Sequence, residues 1–214
     1  MKQNCGAESK QQARIDTIIE PYRDYFKHNS LPKEKQYWTM AGQCGADDNP
    51  VEGCEPDQLI TKEKFITKDQ YRGVESKEEI VNSNRTAWDK LQFLHNDFYM
   101  EMAATKDFNP GIVNMDSFFT PETGCEYLGK IMLSLVHRKI TDVLLVVNLV
   151  VKGRFYPLVT DEYIFEKIKD TIYFEKAWDS GLWERRDQVY HYAGWSRGNI
   201  TTMATLNFVK GGSK

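Results

Sequence analysis

No apolar run in this sequence approaches the ~20 residues that a membrane-crossing helix needs. The longest, Val143 to Val151, is interrupted by Asn148 and fits a strand buried on both faces. The opening residues do not follow the charged-then-apolar order of a secretory signal, so the expectation is a cytoplasmic protein with no membrane partner. Cysteines are few: Cys5, Cys44, Cys54 and Cys125, with no CxxC pair. Cys44 and Cys54 are spaced for a shared metal or a disulfide, but no second His or Cys pair lies close enough in sequence to complete a zinc site. Free thiols and no bound metal are expected. Charge of one sign is lacking too: the formal net charge is -3 and the pI about 5.9. No global field therefore attracts nucleic acid, and any such contact needs a local basic patch. Internal repeats and low-complexity tracts are absent.

What is present suits one globular α/β domain. The chain has 214 residues, 41% hydrophobic and 28% charged, enough for one full core and too few for two large ones. Residues 10–28 carry apolar positions at helical intervals, with Pro21 a kink or a restart. Residues 1–35 form an N-terminal helical extension and residues 36–214 the α/β domain.

The organising stretch is residues 36–76. A β-prone run, Tyr37-Trp38-Thr39-Met40-Ala41, breaks at Gly42-Gln43-Cys44-Gly45, where glycines permit unusual backbone angles and close approach. A turn-rich acidic loop and a short helix near residues 56–65 follow. A second strand then stops at the carboxylate of Glu75. Strand, glycine turn, helix, strand and acid is the order in which a parallel sheet builds a nucleoside pocket: amides approach the ligand and the acid accepts the ribose hydroxyls. Helix 78–88, strand 91–95 ending near Asp97, helix 100–106 and strand 110–116 ending on Asp116 come next. Helix 121–137, strand 142–151, helix 161–178 and two β-prone runs (188–193 and 201–209) complete the chain. The connection 194–199 makes the last two an antiparallel hairpin. The fold class expected is a three-layer Rossmann-like domain, a mostly parallel sheet with a C-terminal antiparallel hairpin.

From residue 36 to 210 this order resembles the class I S-adenosylmethionine-dependent methyltransferases. The resemblance implies S-adenosylmethionine as cofactor. It places Gly42 and Gly45 against the methionine part, Glu75 on the ribose, Asp97 on the adenine amine with Phe98 stacking beside it, and Asp116 at the acceptor as a catalytic base. The acceptor it allows is a nucleic acid or a small molecule. This chain departs from the family in having no acid just before the glycines and two glycines rather than three. It also carries a long acidic loop after them (Asp47, Asp48, Glu52). These departures open an alternative, a methyltransferase-like binding or structural subunit that has lost the cofactor. A nicotinamide-dependent oxidoreductase fits the early strands but not the terminal hairpin or the missing GxGxxG. The strand-four stretch is not the Asn/Asp-Pro-Pro-aromatic signature of amino-methylating enzymes. A Pro-Cys nucleophile for cytosine chemistry is also missing. Lys27, Asp116, Lys152 and Glu184 are a loose match to the tetrad of ribose-methylating enzymes. Lys152-Gly153-Arg154, Arg185-Arg186 and Arg197 are candidates for a basic rim, and Trp195 for a stacking platform. His95 and His191 are expected to be packed rather than catalytic.

Overall fold

The computed structural model describes residues 8–152, 160–180, 183–185, 189–196 and 199–211. Two compact units divide it, Met1–Asp116 and Ser117–Lys214.

The first unit is built on a parallel sheet. β1 (Gln36–Met40) lies between β4 (Tyr71–Glu75) and β6 (Pro110–Phe119), and β5 (Gln92–His95) lies outside β4. Tyr37, Trp38 and Thr39 are wholly buried, as expected for a central strand covered on both faces. β6 is longer than the sequence suggests, so Asp116 sits within the strand and not at its end.

Ahead of the sheet, α1 (Glu8–Arg14), a π-helical turn (Ile15–Ile19) and α2 (Glu20–Phe26) form one helical run. Pro21 stands in the first turn of α2, where a missing N–H is tolerated. The irregularity falls upstream of the proline, in the π turn. Ile18, Ile19 and Tyr22 are buried by this run.

The stretch after β1 does not open directly into a helix. β2 (Gly45–Ala46) and β3 (Asn49–Pro50) form a two-stranded ribbon. Asp47 and Asp48 turn it with φ of 47° and 61°, the left-handed pair that a tight hairpin favours and that Asp tolerates. A π-helical turn (Asp57–Lys62) and a 3-10 turn (Lys68–Gln70) then lead to β4. α3 (Glu78–Ala87) and α4 (Phe98–Ala104) follow β4 and β5.

In the second unit, β10 (Asn199–Lys210) pairs antiparallel with β7 (Val143–Lys152), β8 (Trp183–Arg185) and β9 (Tyr190–Ser196). β8 was not legible in the sequence. The expected connection 194–199 is largely strand, and its remaining residues 197–198 lie outside those described. Asn148, which interrupts the apolar run of β7, faces Thr205, whose hydroxyl donates to Asn148 Oδ1 at 2.6 Å. α5 (Pro121–His137) packs on α6 (Asp161–Lys169) and α7 (Ile172–Trp178). These last two replace the expected single helix 161–178. Among the described residues no helix is long and apolar enough to cross a membrane.

Gly45 is fixed by packing. A Cβ there would lie 2.5 Å from Ser83 O and 2.7 Å from Ala87 Cβ, so ribbon and α3 could not approach as they do. Gly45→Ala is expected to lower the unfolding free energy by about 1–3 kcal/mol, read by chemical denaturation.

Candidate functional site

Parallel register decides where the candidate residues lie. Met40 pairs with Val74, Glu75 with His95, and Thr39 with Asn114. Ala41 N–H donates to Val74 O at 2.8 Å, which carries the pairing of β1 with β4 one residue further. Glu75 therefore ends β4 at the carboxyl edge of the first unit's sheet, Gly42 and Asp97 lie two residues past β1 and β5, and Asp116, inside β6, is two residues past the partner of Thr39. Ligands of open parallel sheets bind beyond that edge.

Each residue has a local role there. Gly42 is exposed, and a Cβ on it would meet nothing within 4 Å. Glu75 accepts from Ser76 Oγ at 3.1 Å and from Lys77 N–H at 3.0 Å, both on Oε1. Asp97 is exposed and caps α4, accepting from Met100 N–H at 3.1 Å. Phe98 is buried in the packing of α4. Gly45 stands apart from the open edge, under α3. His95 is exposed, with Nε2 at 3.0 Å from Ser76 O between two strand ends; the expectation that it packs inside is not met. His191, in the second unit, is also exposed and pairs with Asp161 at 3.1 Å.

Beneath the edge lies a polar core that the sequence did not announce. Glu55 is buried, and its Oε1 accepts from Tyr37 OH at 2.6 Å and Asn114 Nδ2 at 2.7 Å; Tyr71 OH reaches Oε2 at 3.3 Å. Arg14, also buried, donates to Gly53 O at 3.0 Å and Gln58 Oε1 at 3.2 Å. Burial pushes the Glu55 carboxyl up; the Arg14 charge opposes this without cancelling it. Burial, then the nearby Glu55 charge, raises both tyrosines well above their ordinary value. This core fixes the floor under the strand ends: Glu55 ties the segment before the π turn to β1, β4 and β6 at once.

Asp116 meets Lys10 of α1 at 2.9 Å. Burial pushes its carboxyl up, but the charges of Lys10 and Arg14 prevail and hold it below its ordinary value. The lysine paired with Asp116 is thus Lys10, whereas Lys27 is the exposed left-handed C-cap of α2. The side chains of Lys152 and Trp195, and the whole of Gly153, Arg154, Arg186 and Arg197, lie outside the described residues. Arg185 lies over the Phe165 ring at 3.8 Å. Cys44, Cys54 and Cys125 are free and buried, and Cys5 is outside the described residues. The described residues contain no group of three or more side chains suited to a metal.

No protein-family model matches the chain, and no curated protein matches it. Solved structures do. TYW2 of M. jannaschii, in complex with AdoMet, is similar over 95% of this chain and 77% of its own length, at 12% identity and a TM-score of 0.50. The fold is that of the class I methyltransferases. LepI in its complex with SAM is similar over 90% of this chain, at 11% identity and a TM-score of 0.48. This chain spans 46% of LepI. A TehB-like SAM-dependent methyltransferase from Corynebacterium glutamicum is similar over 93% of this chain and 99% of its own, at 11% identity and a TM-score of 0.42.

The Lys10–Asp116 pair makes a pH prediction. A carboxylate whose folded value is depressed stabilises above its unfolded value, about 3.9, and loses that contribution as pH falls through the folded value. Lys10→Met is expected to cost about 1 kcal/mol at pH 7, with the difference from wild type closing as Asp116 takes up its proton in acid. Urea denaturation at several pH values measures it.

Proposed function

We propose that the chain is an S-adenosylmethionine-dependent methyltransferase whose cofactor lies beyond the carboxyl edge of the first unit's sheet. The observation that carries this is the parallel register that ends β1 and β4 at one edge, with Glu75 the last residue of β4 and Gly42 two residues past β1. The residues fit the cofactor: Gly42 offers bare backbone in open space, and Glu75 keeps Oε2 without a partner among the described residues. Glu75 would accept the ribose hydroxyls and Gly42 would lie against the methionine part. Asp97, two residues past β5 and exposed, would meet the adenine amine. Phe98 contributes by packing α4 in place.

The cofactor supplies a methyl group on a sulfonium, an electrophile that a nucleophilic atom attacks in line. The chain supplies proximity and orientation. Asp116, kept ionised by Lys10 and Arg14, is the base where the acceptor has a proton to lose, at some cost in base strength. The acceptor is a nucleic acid or a small molecule with such an atom.

One observation favours the second reading, a cofactor-free subunit. The amides of Cys44 and Gly45 are both bonded to Asn84, so they are not offered to a ligand. A single titration separates the two readings. Calorimetry with S-adenosylhomocysteine is expected to show saturable binding, weakened about tenfold by Glu75→Ala, the loss of one hydrogen bond to a charged group. Absence of heat and of thermal stabilisation at saturating ligand would favour the subunit.

A further inference from the structure

Asn84 sits in the interior of α3, wholly buried, and it meets the glycine bend with every atom of its amide. Oδ1 accepts from Cys44 N–H at 2.7 Å and from Gly45 N–H at 2.9 Å, and Nδ2 donates to Gly42 O at 3.0 Å. The orientation of the amide is determined by its partners: two N–H groups face one side, so that side must be oxygen. Other α3 side chains hold the same bend. Ser83 Oγ donates to Gly45 O at 3.0 Å and Trp88 Nε1 to Cys44 O at 2.8 Å.

Asn is a poor choice for a helix interior on propensity alone. Its place here is explained by the bend: few other side chains of this length accept two hydrogen bonds and donate one. The same helix takes charge of the other half of the edge. The residue before its first turn, Lys77, donates its N–H to Glu75 Oε1. Asn84 is six positions beyond Glu78, about 9 Å of helix rise. One rigid element thus holds the carboxylate at the end of β4 at its start and the backbone after β1 further along.

We propose that Asn84 is a positioning residue of the edge site. It sets the Gly42–Gly45 bend so that the bare backbone of Gly42 takes the amino-acid end of a ligand whose ribose Glu75 holds. The ligand class is an adenosine carrying an amino-acid tail on its 5′ sulfur. This inference rests on the function proposed above and adds to it the residue that sets the bend, Asn84.

The test compares two probes on the full chain by calorimetry, S-adenosylhomocysteine and adenosine, which lacks the tail. Asn84→Ala strips two amides and one carbonyl of their partner. It is expected to raise the Kd of S-adenosylhomocysteine about tenfold, the consequence of unsatisfied buried groups, and to leave the Kd of adenosine within about twofold. Asn84→Asp keeps both acceptances and loses the donation, so an intermediate loss on S-adenosylhomocysteine alone is expected. It carries the test if the alanine variant does not fold. Equal loss on both probes in the folded variant, or no loss on either, would overturn the positioning role and leave the proposed function standing. Wild-type protein that binds neither probe would overturn both.

Discussion

Everything at the candidate site follows from parallel pairing of β1 with β4 on one side and, regular from Tyr37 to Thr39, with β6 on the other. Parallel strands present all their carboxyl ends at one edge, and a slip of one residue would turn every side chain to the opposite face. Here the register puts the exit of β1, the acid of β4, the cap after β5 and the carboxylate within β6 along a single rim. The pairing also gives the buried face its character. Tyr37, Tyr71 and Asn114 all reach Glu55, three strands gathered on one side chain.

That carboxylate is an unusual way to hold a floor. A buried carboxyl is costly unless fully bonded, and breaking such a network is worse than never having built it. Glu55 is bonded at both oxygens, and Arg14 supplies a nearby opposite charge. The result specifies one position for the segment between the ribbon and β4. It also ties the N-terminal helical run to the sheet, since Arg14 reaches Gly53 and Gln58 while Lys10 reaches Asp116. The helix expected over residues 10–28 was legible, but not its part in this network.

The order of strands and helices was readable because each carries its own local signal: the unbroken apolar run of β7, the β-prone residues of β1, the helical spacing of α5. Gly42, Glu75 and Asp97 were readable near strand ends for the same reason, since an acid or a glycine closing a β-prone run stands out; Asp116 was not, because β6 continues past it. What determines their surroundings was not. Asn84 looks like one more polar residue in α3, and its partners are about forty residues away in the chain. Its one available signal was a weak helix former in a helix interior. Glu55 lies among Glu52 and Asp57 in a stretch that reads as a solvated acidic loop, and nothing nearby in sequence marks it as buried. At Gly45, which the resemblance puts against a ligand, the close approach of Ser83 and Ala87 is a packing reason for glycine that the sequence did not show.

The central claim is that one rim of the first unit's sheet receives an adenosine-containing ligand. It is tested most directly by following the backbone amide spectrum of the ¹⁵N-labelled chain while S-adenosylhomocysteine is added. Concentration-dependent shifts concentrated at residues 42–43, 75–77 and 96–98 are the predicted result. A spectrum that does not move, or shifts gathered on α6 and α7 in the second unit, would contradict it.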